Sequence, residues 1–282
     1  MFALLQIYAV AVGAGVIMAP TLSLLGAQLA ARDKAMQTLC VGQGATLGVL
    51  LGLGTLKILD APDLAIHLGP FVTAVLCSIG TYLFSDRITK KHQSSKNTFF
   101  TAIFATLLGS GYLVCAIFPP LENHMTQVFF GDLATLSNWE SVLAMVIGIV
   151  SMMILTLWWR SISYESFRLA VFGGSHKKGK SRVSVGFEIL AILLLSFSVQ
   201  FLGFLFTISA LFLPTVLAKL SANRHLKQHL ISIALLSSVA SAVGFVLSLQ
   251  YSRLPTVPMI LLVMVGLGIL TLGVEKIIRA KT

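Results

Sequence analysis

The sequence predicts an all-α protein that threads a membrane repeatedly, with about eight or nine spanning helices. Composition, the spacing of charge and the length of the apolar runs carry this prediction. Of the 282 residues, 56% are hydrophobic and only 11% are charged. A soluble globule of that composition would leave apolar surface in water at a cost of about 25 cal/mol per Å². All of the 20 basic residues except Lys57 and Arg253 fall in five short clusters. These are Arg32/Lys34, Arg87 to Lys96, Arg160 to Arg182, Lys219 to Lys227 and Lys276 to Lys281. The stretches between them approach the ~20 apolar residues that a helix needs to cross a bilayer. In lipid every backbone polar group must be paired internally, so these runs are helices. They lack the short alternating pattern of barrel strands.

The runs lie near 4–30, 38–59, 65–85, 98–118, 140–158, 230–250 and 256–275. The first begins MFALLQIYAV, without a basic n-region or a small-residue cleavage site, so it reads as a span and not as a removed signal. Cationic loops stay on the cytoplasmic side. Placing all five clusters there puts the N-terminus outside and the C-terminus inside. The segments around Asp60/Asp63, Glu122/Asp132/Glu140 and Arg253 then fall outside. Residues 185–218 have cytoplasmic flanks at both ends. They must turn back within the membrane, as two short helices near 185–200 and 203–218. The whole chain, 1–282, reads as one membrane domain.

Several segments stand out within this frame. Gly44, Gly48 and Gly52 form a ridge on the second helix that admits a close neighbour or a sliding face. The segment Phe118 to Trp139 opens with Pro119-Pro120 and reads as an amphipathic stretch along the outer membrane face. On the inner side, Ser161 to Gly173 reads as a short amphipathic helix. Phe167, Val171 and Phe172 share one side, Glu165 and Arg168 are more exposed, and Gly173-Gly174 stops it. Cys40, Cys77 and Cys115 all lie in predicted spans, with no metal-ligand spacing and no disulfide pattern. Glu188 falls in the first turn of its helix, where the dipole favours a carboxylate. The net charge of +10 reflects orientation and anionic lipid, since no basic stripe with interleaved aromatics suggests nucleic acid. There is no nucleotide-binding loop of the form GxxxxGKS/T. Either an ion gradient or a partner's ATP drives whatever the chain does.

The order of motifs resembles the permease subunits of bacterial zinc/manganese ABC importers, the ABC-3 family. Phe130-Gly131-Asp132-Leu133 with Trp139 downstream is similar to the family's FGD stretch. Gly203 to Pro214, followed by Ala218-Lys219-Leu220, is similar to its late helix, and Leu254-Pro255 to Pro258 is similar to the start of its last helix. Ser163 to Gly173 occupies the place of its coupling segment, about 161–174. The resemblance implies a permease of the vitamin B12-importer type, with a broken helix near 200–203. It implies a homo- or heterodimer in a bacterial inner membrane, two cytoplasmic ATPase subunits and an extracytoplasmic binding protein. It implies no cofactor and no enzymatic chemistry in this subunit. Coupling to the ATPase falls on Glu165, Ser166, Phe167 and Arg168.

The chain departs from the family where the family is most chemical. The family's second helix carries Asp and His four apart, on one face, suited to zinc or manganese. Here those positions are Leu39 and Gln43, so no metal site carries over. Met36, Cys40 and Gln43 share the face at i, i+4 and i+7, either as core packing or as a pathway of weak ligands. Gln200, with Ser198, lies in the expected helix break and either stabilises it or lines the same path. Three readings follow: metal passage without a tight site, a heterodimer whose other half holds the ligands, or another substrate such as a metal chelate or small organic solute. An ion-coupled secondary transporter would need titratable groups at the bilayer midplane, and none stands out.

Overall fold

The computed structural model describes residues 8–58, 63–91, 95–172, 181–220, 226–251 and 254–281. Helices dominate them. In chain order these are α1 Ala9–Ala31, α2 Ala35–Ile58, α3 Asp63–Lys91, α4 Lys96–Ile117, α5 Glu122–Phe130, α6 Asn138–Leu157, α7 Trp159–Phe172, α8 Arg182–Leu202, α9 Phe204–Leu220, α10 Leu226–Gln250 and α11 Thr256–Lys281. Two single 3-10 turns, Pro119–Leu121 and Leu133–Thr135, flank α5. Among the described residues eight helices are long and apolar enough to cross a membrane: α1 to α4, α6, α8, α10 and α11. The α9 helix, with 17 residues, is the short member of the expected pair.

The predicted helices form, and several run past the predicted ends. The third reaches Lys91 because the helical ladder continues beyond the apolar run, with Lys90 paired to Asp86 at 2.6 Å one turn back. The start of α6 is fixed by a capping box: Ser137 accepts from the Glu140 amide, and the Glu140 carboxylate accepts from the Ser137 amide. Ser181 caps α8 more simply, its side chain accepting from the Val183 amide. The predicted stop at Gly173-Gly174 lies outside the described residues.

The chain divides into two compact units. One holds α1, α6, α9, α10, α11 and the start of α7, up to Ser163; the other holds α2 to α5, α7 from Tyr164, and α8. In the first unit small residues and hydroxyls do the packing. Thr21 donates to the Gly148 carbonyl at 3.2 Å, Ser23 meets Ser237 at 3.2 Å, and Gly26 lies against the Leu211 backbone. Gly244 lies against the Ile260 backbone in the same way. Between apolar helices in lipid, such close approach and interhelical hydrogen bonds replace the hydrophobic drive.

In the second unit α2 packs on α3, α4 and α8. The predicted glycine ridge is the α2–α3 interface. A Cβ on Gly48 would lie 2.5 Å from the Thr73 carbonyl oxygen and 2.6 Å from Ala74 Cα. Contact this tight is packing between backbones. On the α8 side, Ala45, Val49, Ala74, Val128 and Val199 form one buried cluster. Val128 belongs to α5, which corrects the expectation for Phe118 to Trp139. Val49 lies seven residues inside the C-terminal end of the α2 span at Leu56, about 10 Å along the axis. The segment therefore folds back into the bundle instead of lying along the membrane face. Its apolar residues decide this: Leu121, Val128 and Leu133 are all buried.

Candidate transport path and coupling helix

Gln43 lies in the interior of α2, eight residues after Ala35 and about 12 Å along the helix. It is fully buried, and neither Nε2 nor Oε1 has a hydrogen-bond partner among the described residues. A buried amide left unsatisfied costs about 1–3 kcal/mol per group, so such a group calls for an explanation. Its neighbours on the predicted face differ. Cys40 donates its thiol to the Phe100 carbonyl at 3.1 Å and serves the α2–α4 contact. Met36 and Leu39 are half-buried. Gln200 is half-buried in the last turn of α8, and Ser198 is buried beside it. Among the described residues no three of His, Cys, Asp and Glu come together as a metal site would require.

The break at the end of α8 is built on two glycines. Gly203 ends α8 at φ +88° and Gly131 ends α5 at φ +71°. Each amide returns to its own helix, Gly203 to Val199 at 3.2 Å and Gly131 to Gln127 at 2.8 Å. The two meet backbone to backbone: a Cβ on Gly203 would lie 2.5 Å from the Gly131 nitrogen. Phe204, just past the break, packs its ring 6.2 Å from Phe129 and 6.3 Å from Phe104. The break near 200–203 was expected. Its partner in the FGD stretch was not.

The Asp132 carboxylate caps the next turn through the Ala134 amide at 3.0 Å and accepts from Thr256 at 2.8 Å. With Glu140 engaged at the start of α6, two of the three acids from Glu122 to Glu140 are tied into the fold. Glu122 is exposed.

The amphipathic helix expected over Ser161 to Gly173 forms as α7, but its sides are reversed. Glu165 is buried and holds Arg168 in a bidentate pair, Nε to Oε2 at 2.9 Å and Nη2 to Oε1 at 2.6 Å. Ser166 is buried as well. The apolar side chains Tyr164, Phe167 and Val171 are 71%, 67% and 56% exposed. At i, i+3 and i+7 they form one edge. Tyr164 escaped the sequence reading. The side chain of Phe172 lies outside the described residues. Hydrogen bonding to Glu165 pushes the Arg168 pKa up.

Glu188 also departs from expectation. It lies six residues into α8, beyond the first turn, and pairs with Lys34 Nζ at 2.5 Å. Lys34 also donates to the Tyr82 hydroxyl at 3.3 Å. Beside them Arg32 is buried against Ser166, Ser184 and Phe187. Sequence reasoning counted Arg32 and Lys34 as loop charges, and only their place at the mouth of a helix hinted otherwise.

Residues 4–275 match the model of the ABC 3 transport family. The chain belongs to that family. Consistent with this, the ABC 3 chain is 25% identical over 242 residues to a protein described as a probable iron transport system membrane protein from Haemophilus influenzae, covering 84% of this chain and 83% of that one. Its fold matches a chain of PsaBC from Streptococcus pneumoniae, solved in complex with a Fab, with TM-score 0.69 at 15% identity, over 92% of this chain and 88% of that one. It is therefore a multi-pass ABC 3 permease.

Proposed function

We propose that this permease is the membrane-spanning subunit of an ATP-driven importer for a divalent transition metal, zinc or manganese. It works as a dimer with a separate ATPase and an extracytoplasmic binding protein, in a bacterial inner membrane with the N-terminus outside and the C-terminus in the cytoplasm. Family membership over nearly the whole chain carries the reading, and the Haemophilus influenzae relative described as an iron transport protein supports a metal cargo. The exposed edge Tyr164, Phe167 and Val171 suits the ATPase, because a rooted amphipathic helix with its apolar side outward is a ready docking element. On the outer side, exposed Glu122 and Trp139 are available to the binding protein.

The path runs past Gln43, with Met36, Cys40 and Gln200 as further candidates. A neutral amide holds a cation weakly, and weak successive contacts favour passage over retention. Gln43 carries unpartnered donors as well as an acceptor. That favours an ion that arrives with water or a chelating group attached, since a bare cation offers nothing to an N–H. A metal chelate is the second reading for this reason.

Uptake into liposomes holding the permease, ATPase and binding protein tests the reading. Zinc or manganese is expected to enter only with ATP and binding protein. Gln43→Leu is expected to lower the rate about tenfold, the loss of roughly one hydrogen-bonding partner in a buried site. No ATP-dependent uptake of either metal, while a chelate or organic solute enters, would replace the metal reading. An unchanged rate in Gln43→Leu would remove that residue from the path.

A further inference from the structure

A buried side chain in the turn between α1 and α2 joins that turn to α7 and α8. Arg32 is 8% exposed. Its Nε donates to Ser166 Oγ on α7 at 2.8 Å, its Nη1 reaches Ser184 Oγ on α8 at 3.4 Å, and its guanidinium lies 4.1 Å from the Phe187 ring centroid. Two residues on, Lys34 ties the same turn to Glu188 on α8 and to Tyr82 on α3. Burial pushes the Arg32 pKa down, and Glu188 and Glu165 pull it back up; arginine stays protonated in proteins in any case.

Burying a cation is costly even when paired, and an apolar side chain often stabilises such a position better. What the guanidinium adds is geometry: a rigid planar fork with donors aimed in fixed directions. Its position in the chain is also particular. The chain enters this unit between Ala30 and Ala31, and enters it again between Ser163 and Tyr164. Arg32 and Ser166 follow those two entry points within three residues, and the 2.8 Å bond joins them.

We propose that Arg32 is a positioning residue for transport. It locks α7 to the turn that leads into α2, so that movement of α7 by the ATPase is delivered through that turn to α2 and towards Gln43. The proposal rests on the importer reading above. The turn is short, and its last residue is fixed: the Lys34 carbonyl accepts from the Thr38 amide in the first turn of α2, and the Lys34 side chain is paired with Glu188. From Ala35 onward the helical ladder is continuous, and the face bearing Gln43 begins at Met36. Lysine cannot substitute, because a point charge on a flexible stem does not address Ser166 and Ser184 together.

The test uses the full complex in liposomes, reading ATP hydrolysis with and without loaded binding protein, and metal moved per ATP. Arg32→Ala is expected to leave assembly and basal hydrolysis intact, to lose stimulation by the binding protein, and to lower metal per ATP about tenfold. Arg32→Lys is expected to recover less than about half of that loss, because the charge alone returns. Ser166→Ala keeps the charge and the contacts to Ser184 and Phe187, and is expected to lower coupling about threefold; it decides the matter if Arg32→Ala fails to assemble. Finally, Arg32→Cys with Ser166→Cys, joined by a short bifunctional thiol reagent, is expected to restore coupling, and Arg32→Cys alone with the reagent is not. Unchanged metal per ATP in the alanine variants overturns the proposal. So does a tether that blocks uptake, which would mean that the contact opens during the cycle. Absence of any stimulation in the unaltered complex defeats the importer reading, and this proposal with it.

Discussion

Gly203→Ala is expected to be among the most damaging single substitutions in the protein. Its φ and ψ, +88° and 158°, lie in a region that is essentially restricted to glycine and costs another residue about 1–3 kcal/mol. The added Cβ would also meet the Gly131 nitrogen at 2.5 Å. The obstacle is backbone, which cannot swing aside as a flexible side chain would, and overpacking of this kind costs about 1–3 kcal/mol. The sum, about 2–6 kcal/mol, is a large share of the ~5–15 kcal/mol that usually separates folded from unfolded. In detergent the unfolding midpoint should fall by about 10 °C. Gly186→Ala is the matched control: it sits within α8 with nothing within 4 Å of the new Cβ. That change should leave the midpoint level or raise it slightly, since alanine is the better helix former. A Gly203→Ala protein that melts with the control would contradict the paired-glycine account.

The second large effect belongs to Lys34 and Glu188, whose side chains are 19% and 10% exposed. Glu188→Leu leaves a mostly buried ammonium without its carboxylate, and removing one partner of such a pair typically costs about 3–5 kcal/mol. The double variant Lys34→Met/Glu188→Leu removes both charges together. It should return to within about 1 kcal/mol of the parent, because apolar replacements of similar volume often match a buried ion pair. The comparison is made by thermal unfolding of the two variants side by side. If the single and double changes cost the same, the pair contributes through shape and not through charge.

The spanning helices were legible because a bilayer sets their length and excludes charge, so hydropathy and the basic clusters suffice. Their inner ends were less legible. Hydropathy falls at Asp86 while the helix continues to Lys91, since backbone hydrogen bonding does not stop where lipid does. The segment after Pro119-Pro120 looked like surface because its acids drew attention. Its burial depends on Leu121, Val128 and Leu133, which have no period that marks them in so short a stretch. The reversal of α7 has a similar cause. An amphipathic helix announces two sides, but not which of them faces the protein, and the bidentate Glu165–Arg168 pair let the charged side turn inward. The glycines at 131 and 203 were recognisable as motif residues. That they press against each other is a long-range fact with no local signal. Arg32 looked like one more cytoplasmic charge, and only the fold brings Ser166, Ser184 and Phe187 around it. The path was legible only by comparison: resemblance marked position 43, and the structure adds that its amide is buried, with no partner among the described residues.

The account turns on α7 being a cytoplasmic docking edge for the ATPase. Phe167 is well exposed on that edge, so Phe167→Cys, compared with the parent chain, reads it directly with a membrane-impermeant maleimide. The account predicts labelling in inside-out vesicles, none in intact cells, and protection of the inside-out signal by purified ATPase. Labelling from the outside of intact cells, or inside labelling that the ATPase leaves unchanged, would contradict it.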